Sequence, residues 1–195
     1  MKKLINGSSD VVEEMLEGIV ASEAGLRRLA GTDVIVRSDG PVEGKVGVVT
    51  GGGSGHEPMH AGYVGEGILD GAAAGAIFTS PPATDMQKMI ESADAGEGVL
   101  AIIKNYEGDI MNFDTAAELA DVEYDQVIVN DDVAVSEAED RTGRRGVAGT
   151  VFVHKIAGAM ADRGEPLTEV KRVAQKAIDN VASMGVALSS CVTPE

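Results

Sequence analysis

Tryptophan is absent from these 195 residues, and three tyrosines and three phenylalanines are the only other aromatics besides histidine. A core built from this chain must therefore use Val, Ile, Leu, Ala and Met. Cysteine is nearly absent too, and the single Cys191 excludes an internal disulfide. No apolar run reaches the length of a membrane span, and none at the N-terminus has the core of a signal peptide. These absences set the expectation of a cytoplasmic protein, in which the sequon Asn6-Gly7-Ser8 carries no meaning. Basic residues are scarce: 16 Lys and Arg face 32 Asp and Glu, a formal charge of −16. Such a surface repels nucleic acid and anionic membranes. The acids are scattered rather than gathered in a tail, which suggests a halophilic protein adapted to a salt-rich cytoplasm.

What is present is a globular composition, with 44% hydrophobic residues and 25 glycines. The length suffices for one substantial core, and the balance points to an α/β fold. Apolar positions at Val12, Met15, Leu16, Ile19, Val20, Leu26 and Leu29 predict an amphipathic helix over Asp10 to Ala30. Val34 to Val36 and Val46 to Val49 predict strands on either side of the turn cluster Ser38-Asp39-Gly40-Pro41. A helix can begin at Pro58 and run to Val64. Strands at Ala72 to Phe78, Val99 to Ile103 and Gln126 to Val129 alternate with helices at Asp85 to Ala93 and Ile110 to Ala120. Two helices, Gly146 to Arg163 and Thr168 to Ser183, then close the fold around Gly164-Glu165-Pro166. The expectation is a mostly parallel or mixed sheet covered by helices on both faces. Residues 1–184 would form this domain. The segment 185–195 starts as an apolar run, Val186-Ala187-Leu188, and reads as a strand entering a second domain.

The most informative stretch is VGVVTGGGSGHEP, Val46 to Pro58, where an apolar run ends in glycines and then delivers His56 and Glu57. Bare backbone there lets a ligand approach the main chain. The spacing fits neither known phosphate loop. The P-loop ends in Gly-Lys-Ser/Thr, whereas Gly55 precedes His56, and the dinucleotide pattern would need a third glycine where His56 stands. A small polar ligand suits the turn better than a nucleotide.

A second strand ends the same way, in Ile102-Ile103-Lys104-Asn105-Tyr106-Glu107-Gly108-Asp109. Ligands of open α/β sheets lie beyond the carboxyl ends of strands, so neighbouring strands of this kind would bring His56, Lys104 and Asp109 together. Lysine could hold an oxygen, and Asp109 or His56 could take a hydroxyl proton. Each residue also has a plainer reading: Asp109 as a helix N-cap before Ile110, Lys104 as a surface lysine at a strand end. Asp131-Asp132 could bind a metal or form a solvated turn, and no further ligand spacing supports a metal. Arg144-Arg145 could contact an anion or partner, or cap a turn. His60 and His154 fall in predicted helices, as ordinary helix residues.

Four blocks together resemble a known family. Gly51-Gly52-Gly53-Ser54-Gly55-His56-Glu57-Pro58-Met59-His60, Phe78-Thr79-Ser80-Pro81, the stretch from Ile102 to Asp109, and Gly143-Arg144-Arg145-Gly146-Val147-Ala148 are similar to the substrate-binding subunit of dihydroxyacetone kinases, DhaK. Met1-Lys2-Lys3-Leu4-Ile5-Asn6 fits as well. The resemblance implies the first domain of a two-domain, homodimeric subunit. It implies that Gly53, Ser54, Gly55, His56, Lys104 and Asp109 bind dihydroxyacetone. Asp109 would take the proton of the attacking hydroxyl, and His56 would hydrogen-bond and polarise the substrate. The family also holds the carbonyl carbon as a hemiaminal on a histidine of the second domain, a motif that neither His60 nor His154 occupies. No metal and no cofactor is expected in this chain. The phosphoryl donor would be ADP or ATP with Mg on a DhaL-type nucleotide-binding subunit of the phosphoenolpyruvate-dependent phosphotransferase branch, or the ATP of a fused form. The competing class is a non-catalytic module that senses the triose and reports it to a protein partner.

Overall fold

The computed structural model describes residues 3–134 and 143–194. Met1 and Lys2 of the N-terminal match, and Glu195, lie outside the described residues. The elements in chain order are α1 (Val11–Ser22), β1 (Leu26–Arg28), β2 (Val34–Arg37), β3 (Gly47–Ser54), β4 (Gly71–Ile77), α2 (Ala83–Ala93), β5 (Val99–Lys104), α3 (Glu107–Leu119), β6 (Tyr124–Val129), α4 (Thr150–Ala161) and α5 (Leu167–Ile178). The strands form one mixed sheet in the order β1-β2-β4-β3-β5-β6. β4, β3, β5 and β6 run parallel, while β2 joins β4 and β1 joins β2 antiparallel.

Strand β5 shows why the sheet is covered on both sides. Leu100 and Ile102 enter one core with Leu16 of α1, Val153 and Ala157 of α4, and Val170 and Ala174 of α5. Val99, Ala101 and Ile103 enter the other with Met86, Met89 and Ile90 of α2 and Phe113 of α3. Successive side chains point to opposite faces, so a strand buried on both reads as an unbroken apolar run. Each fully buried side chain of this size stabilises the fold by roughly 1.5–3 kcal/mol.

Several element boundaries differ from the sequence reading. The first helix ends at Ser22, where the backbone N–H of Glu23 donates to the Ile19 carbonyl. Leu26–Arg28 pairs with β2 instead, because an open sheet edge offers these residues ladder bonds that outweigh helical spacing. The strand expected at Val46 to Val49 continues through the glycines to Ser54, so Gly51, Gly52 and Gly53 are sheet rather than turn. Pro58 to Val64 holds only a 3₁₀ turn at Ala61–Tyr63, its Gly62 and the Gly65 that follows being poor helix formers. Residues 146–149 precede α4 as a loop, and α5 stops at Ile178. The strand expected after Gly185 does not form: Val186 is 82% exposed and Leu188 fully so, with no ladder partner among the described residues.

Candidate functional site

The chain leaves β3 toward β4 on one side and leaves β5 toward β6 on the other. Adjacent parallel strands whose connections diverge leave a crevice at their carboxyl ends. The two polar-ended strands of this sequence are the ones that flank that crevice.

Small residues let three strand ends close around it. A side chain on Gly53 would place its Cβ 2.5 Å from the Thr79 nitrogen, and one on Gly75 would collide with the Thr79 carbonyl oxygen. β3 and the segment after β4 can therefore lie flush. Phe78 takes a left-handed backbone, φ 53°, uncommon for a residue with a Cβ, and its N–H donates to the Ser54 carbonyl at 2.8 Å. Its ring stands edge-on to His56, centroids 5.1 Å apart.

His56 is exposed at the mouth, with Nδ1 2.8 Å from the Gly53 carbonyl oxygen. A carbonyl can only accept, so Nδ1 carries the proton. In that neutral tautomer Nε2 keeps the lone pair with which the ring can accept a hydrogen bond in the cleft.

Lys104 ends β5 and is buried, contrary to the surface reading. Its Nζ donates to the Gly51 carbonyl and lies 3.8 Å from Asp109 Oδ2. Burial brings the ammonium down from its ordinary 10.5 to about 8, against the pull of Asp109. Asp109 is buried as the third residue of α3, whose N-cap is Tyr106, so the capping reading does not hold. The Ser80 hydroxyl donates to Asp109 Oδ1, and a position in the first helical turn suits a carboxylate.

A cleft of about 390 Å³ joins these groups, with Gly53, His56, His60, Phe78, Ser80, Lys104, Tyr106, Asp109 and Gly146 among its lining residues. Of the residues singled out in the sequence, Gly53, His56, Lys104 and Asp109 meet here. Ser54 lines a neighbouring cavity of about 420 Å³, and its hydroxyl donates to the Gly75 carbonyl at 2.7 Å. Gly55 turns the chain at φ 104° and donates its N–H to Glu57.

Sequence reasoning missed Ser80, Tyr106 and His60 as lining residues. The signal for Ser80 was present, since Phe78-Thr79-Ser80-Pro81 is a third strand end passing into polar residues. Asp131 does not sit in a solvated turn: it is buried and accepts from the Val147 and Gly149 N–H groups at 2.8 and 2.7 Å. It braces the loop whose Gly146, Val147 and Ala148 close one wall. Arg145 lies over the Tyr106 ring at 5.9 Å. Among the described residues, no three His, Cys, Asp or Glu gather as a metal site.

Fold and cleft together define an α/β domain with a cleft lined by polar side chains at the switch point of its sheet. Residues 17–195 match the Dak1 domain, and the chain belongs to that family. The dihydroxyacetone-binding subunit DhaK of a PTS-dependent dihydroxyacetone kinase from Listeria innocua is 54% identical over 199 residues, which cover all of this chain and 60% of that protein. The native crystal structure of the dihydroxyacetone kinase of C. freundii superposes with a TM-score of 0.92 at 39% identity, over all of this chain and 37% of that one. A dihydroxyacetone kinase operon co-activator, DhaQ, superposes with a TM-score of 0.79 at 37% identity, over 84% of this chain and 51% of the other. The chain thus spans about 60% of the length of the Listeria relative.

Proposed function

We propose that this chain binds dihydroxyacetone and presents its hydroxyl for phosphorylation, as the substrate-binding part of a dihydroxyacetone kinase. The observation that carries the reading is the convergence of an ammonium, a carboxylate and an acceptor imidazole on one cleft, from strand ends that diverge around it. Lys104 supplies positive charge beside the bound triose. The Asp109 carboxylate takes the hydroxyl proton while the new O–P bond forms and the donor's P–O bond breaks. His56 Nε2 accepts a hydrogen bond and orients the triose.

The donor is a nucleotide with Mg on a separate DhaL-type subunit, ADP rephosphorylated through a phosphoenolpyruvate-dependent phosphotransferase chain. The similarity to a subunit of a PTS-dependent kinase from Listeria supports this branch over the ATP-dependent one. The same reading includes a homodimer in a salt-rich cytoplasm.

Titrating dihydroxyacetone calorimetrically into the protein in molar salt tests the binding step, with saturable heat expected and its loss in His56→Ala. Turnover by the assembly with a DhaL-type subunit tests the chemistry. Asp109→Asn should still bind and lose about 10²–10⁴-fold in rate; unchanged turnover would remove Asp109 from its role. The similarity to the co-activator favours a second reading, a triose sensor acting through a protein partner. Saturable binding by the wild-type chain with no phosphoryl transfer in the assembly would select it.

A further inference from the structure

We propose that His60 is a hydrogen-bond donor of this cleft, holding the carbonyl oxygen of the bound hydroxyketone together with Lys104; the inference rests on the triose reading above. One of only three histidines in the chain, it sits in the turn between β3 and the 3₁₀ segment rather than in a helix. It is 6% exposed and lines both the cleft and the neighbouring cavity.

Its two ring nitrogens have different surroundings. Nδ1 is sealed inside the protein with no hydrogen-bond partner. Nε2 lies over the bare backbone of Gly52, where a Cβ would stand 2.5 Å from it and 3.0 Å from Lys104 Nζ. His60 Nε2 and Lys104 Nζ therefore crowd the same point beside the floor of the cleft. A proton on Nδ1 would bury an orphaned N–H, the rarer and more costly kind of unsatisfied group. A proton on Nε2 leaves only an unused lone pair inside and turns the N–H outward. Burial, and then the neighbouring Lys104, hold the ring well below its ordinary pKa of 6.5, so it donates as a neutral imidazole.

His56 and His60 then show opposite polarity, one accepting at Nε2 and the other donating there. A hydroxyketone needs this pairing, since its carbonyl oxygen can only accept while its hydroxyl can donate. The polarising role assigned to His56 by resemblance would require its imidazolium form. His60 fills that role without a charge. His154, whose ring centroid is 6.5 Å from that of His60, is fully buried with neither nitrogen partnered.

Histidine-selective ¹⁵N labelling of the full-length protein, with long-range ¹H–¹⁵N spectra assigned through His60→Gln, reads the tautomers directly. The expected pattern is Nε2–H for His60 and Nδ1–H for His56, with signals of both rings moving when dihydroxyacetone is added. An Nδ1–H tautomer at His60 overturns the proposal. So does a ligand shift at His56 with none at His60, which leaves the triose reading intact. Shifts at neither ring overturn both. In calorimetry, His60→Gln keeps an amide donor near the Nε2 position and should bind within about threefold of wild type, while His60→Leu should lose about tenfold. Equal affinity in a Leu variant with an unchanged melting temperature also rejects the donor role.

Discussion

Two buried lysine–aspartate pairs stand at opposite ends of the same sheet, and they are built differently. At the amino ends of β3 and β4, Lys45 Nζ meets both Asp70 oxygens at 2.7 and 2.6 Å. Asp70 also accepts from the Val48 N–H at 2.8 Å and pairs with Arg37 at 3.4 Å, while Asp162 lies 3.4 Å from Lys45. Every polar group of that pair is engaged with another. At the carboxyl ends, Lys104 and Asp109 are 3.8 Å apart, each bonded to something else, and both open onto a cleft. Closed geometry serves the fold. The open pair retains hydrogen-bonding capacity that a ligand can use.

Stability should separate the two most strongly. Asp70→Ala leaves Lys45 and Arg37 buried without their shared carboxylate, and the loss of one partner from a buried pair costs about 3–5 kcal/mol. Asp109→Asn keeps an acceptor for Ser80 beside a lysine already bonded to Gly51, so its cost should stay within about 1 kcal/mol. Urea unfolding of both variants measures the contrast. Equal losses would mean that the open pair is as structural as the closed one.

Titration gives a smaller and more specific difference. Lys104 binds its proton less tightly in the fold, near 8, than in the unfolded chain, near 10.5. Between those values the unfolded chain holds more protons, so stability through this group must rise with pH. Below about pH 8 the burial penalty on the ammonium is fully present, and it is relieved as pH climbs toward 10.5. Tyr106 and Tyr124, both raised mainly by burial, act oppositely above their ordinary value of 10. The informative window is therefore pH 8 to 10. Unfolding free energies should rise there in wild type and flatten in Lys104→Met; identical slopes would show that Lys104 does not titrate in the fold.

The sequence made the open pair legible and left the closed one invisible. Lys104 and Asp109 stood out because an apolar run ended in polar residues and a glycine, a local signal. Lys45 and Asp70 are 25 positions apart in unremarkable turns, and only the parallel pairing of β3 with β4 brings them together. The same limit explains His60. Its position just after Pro58 suggested a helix, whereas its place depends on how closely it can approach the backbone at Gly52. The helix-covered sheet was readable, since apolar runs and amphipathic stretches are written along the chain. The switch from helix to strand at Leu26 was not, because it depends on the free edge of β2.

Salt should give the smallest change and the sharpest division between surface and interior. With a formal charge of −16, the folded surface repels itself in dilute buffer, and screening shortens that repulsion to about 3 Å at molar ionic strength. Wild type should melt at a higher temperature in molar sodium chloride than in dilute buffer. The buried pairs lie inside the screened shell, so the deficit caused by Asp70→Ala should be nearly the same at both salt concentrations. A deficit that shrinks in salt would place the closed pair in contact with solvent and dissolve the contrast between the two ends of the sheet. A wild-type melting temperature indifferent to salt would instead remove the salt-adapted reading, since scattered acids at this density would then impose no measurable strain.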